Sequence, residues 1–340
     1  MPDRLDSLDY TLARYDETAA RRLQFDPRAI ERWDRAARPK LRELLGPMPQ
    51  SVVPLRPRYG ETTQRPGYTR TPVTFATRDD LDAFGFLLVP DDVKPGTPAV
   101  LCLPGHGRGA EEIVGIDEDG HDRDHLDGYQ HDFAVQCVRR GYVTLALEML
   151  GFGRRRDPAA RAKGKGQSSC QPAAGAALLL GETMAGWRTW DAMRAFDLLT
   201  ARPEVNPKRL ALIGISGGGT VGLYTAALDD RVKVAVLSGS FCTYRDSILS
   251  VAHCIDNYVP GILQWFEMAD IAGLIAPRAL FVESGNDDPI FPKPGVEAAL
   301  RYAKRAYDAR GAADRLAHAF FPAAHQFDGT AAFARMAEWL

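Results

Sequence analysis

The sequence lacks the features that would place it in a membrane or nucleic-acid-binding class. Its apolar runs are all shorter than the roughly 20 residues with which a helix crosses a bilayer. The 42 Lys and Arg residues nearly balance the 44 Asp and Glu residues, which leaves a formal net charge of −2. A nearly neutral chain offers no basic surface for nucleic acid or anionic lipid. We therefore expect neither as a partner.

Cysteine is scarce, and its positions show no paired spacing. The five cysteines, an odd number, are Cys102, Cys137, Cys170, Cys242 and Cys254. Such a distribution fits neither a disulfide framework nor a zinc ribbon. The first residues are charged and lack the apolar core of a secretory signal. The sequence therefore predicts reduced thiols and a cytoplasmic location.

What the sequence does have, from residue 99 onward, is an alternation of short apolar runs and helical patterns. The runs are 99–103, 142–147, 210–213, 232–237 and 279–282, and a final candidate strand lies at 317–321. Runs that are apolar at every position are typical of strands buried on both faces. Their alternation with helices predicts an α/β fold, with a mostly parallel central sheet flanked by helices. Two earlier runs, 72–76 and 83–89, predict an antiparallel strand pair at the sheet edge.

One of these runs ends in a motif with catalytic potential. The strand at 210–213 continues into Gly214-Ile215-Ser216-Gly217-Gly218, followed by a helix-compatible segment. A serine on so tight a strand-to-helix turn has a strained backbone, and its small neighbours provide the necessary room. The helix that follows directs free N–H groups toward negative charge on a substrate. This context predicts a nucleophile elbow, with Ser216 as the nucleophile.

An attacking serine needs a base, and the base needs a carboxylate that orients it. In folds with this elbow the acid and then the histidine follow the serine along the chain, each after a strand. Asp288 follows the run at 279–282 in a loop that prolines restrict, and Asp287 is the competing candidate. His325 follows the last candidate strand. The sequence therefore predicts a triad of Ser216, Asp288 and His325.

The reaction also needs N–H donors for the oxygen that becomes negatively charged. Gly217, directly after the nucleophile, offers one donor. The glycine-rich loop at 104–109 offers the second, and we assign it to the His106 N–H, with Arg108 as the alternative. The sequence leaves two roles open for the His106 side chain, contact with the substrate or simple packing.

Three further side chains are candidates for contact with the substrate. Glu148 ends a strand, where ligands of α/β sheets bind, although an ion pair with Arg154 or Arg155 fits equally well. Trp187 belongs to a segment whose spacing also fits a plain apolar helix face. Tyr258 belongs to a segment, 253–265, that fits either a cap over the pocket or part of the core.

No motif calls for a metal or a cofactor. His121 and His125 lie four residues apart with His131 nearby, but neither a strand nor a cysteine frames them, so the pattern favours a polar loop. We find no glycine-rich loop of the phosphate-binding kind. The sequence therefore predicts neither a bound metal nor a cofactor.

The chain divides into two predicted parts. Residues 5–45 carry apolar side chains at helical spacing among many charges, which predicts amphipathic helices, and proline and glycine at 46–49 end them. With 340 residues, 45% of them hydrophobic, one large domain with an extension fits. We expect an N-terminal helical extension packed on the core (1–50) and a catalytic domain (51–340). A patch rich in Ala, Gly, Lys and Ser at 159–175 predicts a loop over one end of the sheet.

Together these segments resemble the α/β-hydrolase superfamily, and most closely its acetylxylan esterase-like and dienelactone hydrolase-like branch. The resemblance extends from about Arg32 and rests on the segments LPGHG (103–107), EMLGFG (148–153), LGETMAG (180–186) with WD (190–191), GISGGG (214–219), HC (253–254) with NYVPG (257–261), IAPR (275–278), GNDDPIFP (285–292) and His325. Pro104-Gly105 departs from the His-Gly that many relatives carry in the oxyanion loop. The resemblance implies an α/β-hydrolase fold, the triad given above, and no cofactor.

The resemblance also implies hydrolysis of a carboxylic ester through an acyl-enzyme. We expect a small-molecule ester as the substrate, with a short acyl group such as the acetyl esters of sugars, and possible assembly into a homo-oligomer. Two alternatives stay open at this point. The same triad serves hydrolysis of amides, peptides or carbon–carbon bonds, and a binding protein on a noncatalytic hydrolase fold would show the same pattern.

Overall fold

The computed structural model describes residues 5–18, 21–49, 51–126 and 128–340. The strands are β1 (Arg58–Tyr59), β2 (Thr63–Arg65), β3 (Tyr68–Arg78), β4 (Leu81–Pro90), β5 (Thr97–Leu103), β6 (Val143–Leu147), β7 (Val205–Ile215), β8 (Val232–Ser238), β9 (Ala279–Gly285) and β10 (Leu316–Phe321). They form one sheet in the order β1-β3-β4-β6-β5-β7-β8-β9-β10, and β2 pairs with β3. The six strands from β6 to β10 in this order are parallel, while β3 and β4 pair antiparallel. The predicted sheet and its antiparallel edge are confirmed.

Helices cover both faces of this sheet. They are α1 (Ser7–Glu17), α2 (Ile30–Leu44), α3 (Ala110–Ile113), α4 (Phe133–Val138), α5 (Pro158–Ala162), α6 (Cys170–Leu179), α7 (Met184–Thr200), α8 (Gly217–Leu228), α9 (Met268–Gly273), α10 (Lys293–Ala309) and α11 (Thr330–Trp339). Alternate residues of β7 serve the two faces: Leu210 and Leu212 pack in the core with α7 to α10, and Ala211 and Ile213 in the core with α4 and α11. Period-two alternation thus builds two cores on one apolar strand.

Outside the sheet, the prediction of N-terminal helices is confirmed, and the prediction of a loop at 159–175 is wrong. The amphipathic helices near the N-terminus are present as α1 and α2, and the buried Trp33 and Leu41 of α2 belong to the larger core. The predicted loop at 159–175 is wrong, because α5 and the first residues of α6 lie there. Alanine has the highest intrinsic helix propensity, and it is the most frequent residue of α6. The domain boundary at residue 50 lies outside the described residues, so the two-part division stays a prediction.

The six parallel strands bring their carboxyl ends to the same sheet edge. Register pairs Leu103 of β5 with Gly214 of β7, and Ile215 with Ser238 of β8. On the far side, β10 ends level with the end of β9. The carboxyl edge of such a sheet is where α/β proteins bind ligands. Within the described part of the chain, no helix is long and apolar enough to cross a membrane.

Candidate active site

Ser216 stands between β7 and α8 in a backbone conformation that side chains rarely adopt. Its φ and ψ are 54° and −126°, outside the main regions open to L-residues. The turn is so tight that a Cβ on Gly214 would lie 2.4 Å from the carbonyl oxygen of Gly218. A Cβ on Gly218 would lie 2.1 Å from the carbonyl oxygen of Leu103. Only glycine fits both positions, and the turn has the strained geometry of a nucleophile elbow.

Asp288 and His325 form a hydrogen-bonded pair. His325 Nδ1 lies 2.8 Å from Asp288 Oδ2. The other carboxylate oxygen, Oδ1, accepts hydrogen bonds from the backbone N–H groups of Ile290 at 2.8 Å and Phe291 at 3.0 Å, which fix its orientation. Asp288 is buried, whereas Asp287 is exposed. The structure thus brings the predicted acid and base together and leaves the competing aspartate at the surface.

Ser216 and His325 both lie against the end of β8. The Ser216 N–H donates to the last carbonyl of β8 at 2.9 Å. The next residue, Gly239, has a φ of 47°, and a Cβ there would lie 3.0 Å from His325 Cε1. The Tyr129 ring stacks on the His325 ring, and the two ring centroids lie 5.6 Å apart. The predicted nucleophile and base therefore border one point at the carboxyl edge of the sheet.

Several backbone amides of the loop at 104–109 are already bound by buried side chains. Gly105 N–H donates to Gln130 Oε1 at 2.8 Å, and Arg108 N–H donates to Glu112 Oε2 at 2.9 Å. The side chains of Gln130 and Glu112 have little or no exposed surface. Because its N–H is occupied, Arg108 does not serve as the alternative oxyanion donor.

The backbone amides of His106 and Gly217 differ from those of Gly105 and Arg108, because no hydrogen bond among the described residues occupies them. Gly217 is the first residue of α8, where an N–H has no partner inside the helix. The His106 N–H makes no hydrogen bond to the part of the chain that the structure describes. The Tyr129 hydroxyl donates to the His106 carbonyl oxygen at 2.7 Å and so fixes this peptide. Burial raises the pKa of Tyr129, which keeps the hydroxyl a donor.

The structure gives Glu148 a role other than substrate contact. Its side chain has no exposed surface, and its carboxylate accepts hydrogen bonds from the backbone N–H groups of Ala110 and Arg154. The arginines have other partners: Arg154 pairs with Glu111, and the Arg155 guanidinium lies 2.8 Å from Asp191. Among the described residues no side-chain ion pair joins Glu148 to Arg154 or Arg155, and the substrate contact of Glu148 stays a prediction. Glu148 joins the loop after β5 to the loop after β6.

Glu148 makes stability depend on pH. Burial raises its pKa from about 4.5 to about 7, against the two N–H donors that lower it. The folded protein therefore binds this proton more tightly than the unfolded chain, and the free energy of unfolding should fall by up to roughly 3 kcal/mol as pH rises through this window. The Glu148→Gln variant has no ionisable group at this position, so its free energy of unfolding should lack this pH dependence. Denaturant titrations from pH 5 to 8 should show the advantage of wild type over the variant shrinking with pH, whereas parallel curves would contradict it.

Sequence reasoning missed several residues that position the site. Glu283 of β9 is buried and accepts hydrogen bonds from the N–H groups of Asp328 at 3.1 Å and Gly329 at 3.0 Å. It thereby holds the loop that follows His325. Burial raises its pKa to about 7. The signal was present in the sequence, because a carboxylate in a strand with two apolar faces needs a specific partner.

The other two predicted substrate contacts lie in separate cavities. Trp187 lines a cavity of about 830 Å³ together with Met48 and Leu150, and its indole N–H donates to Glu182. Tyr258 lines a cavity of about 250 Å³, and its hydroxyl donates to the carbonyl oxygen of Ile248 at 3.0 Å. Neither lining includes a member of the predicted triad. The substrate contacts of Trp187 and Tyr258 stay predictions.

A basic cavity of about 430 Å³ adjoins the loop at 104–109. Its lining includes Arg108, Arg154, Arg156, Arg161 and Lys165, with Glu111 as its acidic member. Such an excess of cationic side chains favours an anionic group on a ligand.

The histidines that the sequence set aside lie in a polar turn. His121 is exposed, and its backbone N–H donates to Asp117 Oδ1 at 2.8 Å. Asp119 N–H donates to the same oxygen at 2.9 Å. The Asp117 carboxylate therefore serves to close the turn.

Comparison with known proteins places this geometry in a family. A model described as the Abhydrolase family matches residues 11–330. YtaP of Bacillus subtilis, a hydrolase by name, is 31% identical over 239 residues, which cover 67% of this chain and 73% of that protein.

Solved structures agree on the fold. A Bacteroides fragilis protein described as an acetyl xylan esterase superposes with a TM-score of 0.78 and 20% identity, over 94% of this chain and 83% of that one. A glucuronoyl esterase from Solibacter usitatus superposes with a TM-score of 0.64 and 16% identity, over 90% of this chain and 92% of that one. The predicted α/β-hydrolase fold is confirmed, and the chain belongs to the Abhydrolase family.

Proposed function

We propose that the chain is a serine esterase that hydrolyses carboxylic esters through a triad of Ser216, His325 and Asp288. The observation that carries the proposal is the 2.8 Å hydrogen bond between His325 and Asp288, beside the strained turn of Ser216. A buried acid that fixes the imidazole, next to a serine on an elbow, is the arrangement that acyl transfer requires. The names of the structural relatives, which include acetyl xylan and glucuronoyl esterases, support an ester bond.

The mechanism follows from these positions. His325 Nε2 takes the proton of Ser216 as Oγ attacks the ester carbonyl carbon, and Asp288 stabilises the resulting imidazolium. The carbonyl oxygen becomes negatively charged and accepts hydrogen bonds from the N–H groups of Gly217 and His106. The imidazolium then protonates the leaving alcohol as the C–O bond breaks. Water, activated by the same imidazole, hydrolyses the acyl-enzyme and regenerates Ser216.

The substrate class we propose is a short acyl ester of a sugar, as a small-molecule partner without nucleic acid or membrane. A second candidate is an ester whose acyl or alcohol part carries an anionic group. The basic cavity beside the loop at 104–109 favours this second class. We also propose a cytoplasmic location, which the free state of all five cysteines supports. Assembly into a homo-oligomer remains part of the proposal.

Turnover of p-nitrophenyl esters from acetate to octanoate, with the matched p-nitroanilides, tests the proposal. We expect hydrolysis of short-chain esters and little hydrolysis of the anilides. A fluorophosphonate probe should label one residue, which mass spectrometry should identify as Ser216. Labelling without ester turnover would move the assignment to amide or carbon–carbon bonds. Neither labelling nor turnover would indicate a binding protein.

A second assay, which measures released acetate, separates the two substrate classes. Acetylated xylose serves as the neutral ester and the acetyl ester of free glucuronic acid as the anionic one, with Arg161→Gln as the variant. If the basic cavity binds the anionic group, this variant should raise KM for the uronate ester alone. Equal changes in KM for both esters would contradict the proposal of an anionic ester as the substrate.

A further inference from the structure

A cluster of four potential metal ligands lies beneath the loop at 104–109. His106, Cys170, Cys254 and Asp256 each place one ligand atom within 4.8 Å of the ligand atoms of the other three. They come from three separate parts of the chain, so no sequence motif joins them. The Cys170 and Asp256 side chains are buried, and the other two are partly buried. None of the four belongs to the proposed triad.

The chemistry of the four donors is that of a tetrahedral zinc site. Two thiols, one imidazole and one carboxylate are ligands that Zn²⁺ takes in protein sites. Zinc bonds of about 2.0–2.2 Å to nitrogen and oxygen place those two atoms roughly 3.3–3.5 Å apart in a tetrahedron. His106 Nε2 lies 3.2 Å from Asp256 Oδ2. The two atoms are therefore already spaced like one edge of such a tetrahedron.

His106 Nε2 lies close to that carboxylate without the geometry of a hydrogen bond. Nε2 is buried and has no hydrogen-bond partner among the described residues, although Asp256 Oδ2 is close. A short distance without hydrogen-bond geometry is what two ligands aimed at a common centre show. A buried nitrogen without a partner is costly, and a bound cation would satisfy it.

Arg188 fits the site as an outer partner of the ligands. Its buried guanidinium donates to Cys170 Sγ at 3.1 Å and to Asp256. Such outer hydrogen bonds orient ligands and stabilise thiolates. Two thiolates and one carboxylate carry three negative charges with a neutral imidazole. A divalent ion and Arg188 supply three positive charges, so the buried assembly is neutral.

We propose that His106, Cys170, Cys254 and Asp256 bind one zinc ion that joins the loop at 104–109 to α6 and to the segment at 254–256. As the bonds to zinc form, the metal-free cluster releases two protons to water, so that both sulfurs bind as thiolates and the imidazole binds as a neutral ligand. The ion would fix His106, whose ring also lies against Gly217, with Nδ1 3.3 Å from the position of a Cβ there. The proposal concerns binding of a metal and does not rest on the esterase assignment.

The rival state is a metal-free ion-pair network. Burial alone would lower the pKa of His106, but Asp256 and Cys170 beside it raise that pKa to about 9. Cys254 and His106 lower the pKa of Cys170 to about 5. Without a metal, the cluster would therefore hold an imidazolium and a thiolate.

Cobalt substitution distinguishes the two states. Protein purified without an affinity tag, reduced and freed of metal with a chelator, is titrated anaerobically with Co²⁺ and then Zn²⁺. We expect one Co²⁺ per chain, with thiolate-to-cobalt charge-transfer absorption and tetrahedral ligand-field bands, and displacement by Zn²⁺. Cys254→Ser should weaken binding by at least about 100-fold. Cys242→Ser, at a buried cysteine outside the cluster, is the matched control and should bind like wild type.

Two outcomes would overturn the proposal. One is the absence of charge-transfer absorption at one equivalent of Co²⁺ in folded wild-type protein. The other is equal affinity in Cys254→Ser and wild type. If Cys254→Ser fails to fold, protection of two thiols from a disulfide reagent by Zn²⁺ in wild-type protein decides the matter. Each measurement reads metal binding directly, so loss of esterase activity cannot be mistaken for loss of the site.

Discussion

Ser216→Ala should lower kcat for p-nitrophenyl acetate by roughly five orders of magnitude while the protein stays folded. Removal of Oγ removes the atom that forms the acyl-enzyme, and catalysis by the remaining groups is small when a triad member is lost. Alanine keeps the Cβ at a φ of 54°, so the backbone strain is unchanged. The free energy of unfolding should therefore stay within about 1 kcal/mol of wild type.

Ser216→Gly provides a second variant, which should relieve the backbone strain at this position. Glycine adopts positive φ without steric cost, so this variant should be more stable than Ser216→Ala by about 1 kcal/mol or less. It should be equally inactive. A Ser216→Ala preparation that retains activity within tenfold of wild type, free of contaminating esterase, would refute Ser216 as nucleophile.

The order of the site along the chain could be predicted because local chemistry dictates each of its parts. A serine between glycines at a strand-to-helix turn is recognisable in the sequence, because the turn leaves no space for a Cβ on Gly214 or Gly218. Asp288 and His325 follow strands whose apolar runs are short and separate, so their places at the sheet edge follow from the α/β pattern. The sequence favoured Asp288 over its neighbour Asp287, and the structure buries Asp288 while leaving Asp287 exposed.

The partners that position these groups could not be predicted from local patterns. Glu112, Tyr129 and Gln130 all follow the loop at 104–109 in the sequence, yet their contacts with it depend on how the chain folds back. Glu148 was placed at the correct strand end, but a strand-end carboxylate faces either the pocket or the neighbouring loops, and local sequence does not distinguish the two. The helix α6 was missed because a composition of Ala, Gly and Ser fits both a loop and a helix.

Asp288→Asn should lower kcat by about 10³ to 10⁴-fold while leaving the fold intact. Oδ1 of Asp288 accepts two backbone N–H groups, from Ile290 and Phe291. An asparagine must keep its carbonyl oxygen there, because its NH₂ group would otherwise face two donors. The NH₂ group then faces His325 Nδ1 and requires that nitrogen to accept. The proton moves to Nε2, which can no longer take the proton of Ser216.

Asp287→Asn is the matched control, one residue away and exposed. Its kcat should stay within about twofold of wild type, because the Asp287 carboxylate lies at the surface and the pair between Asp288 and His325 stays intact. Steady-state kinetics on one ester, with circular dichroism to confirm folding, measures both variants. A larger loss in Asp287→Asn than in Asp288→Asn would assign the acid to Asp287. A loss below tenfold in Asp288→Asn would show that His325 keeps its productive tautomer without this carboxylate, and that the pinned geometry of Oδ1 does not control the base.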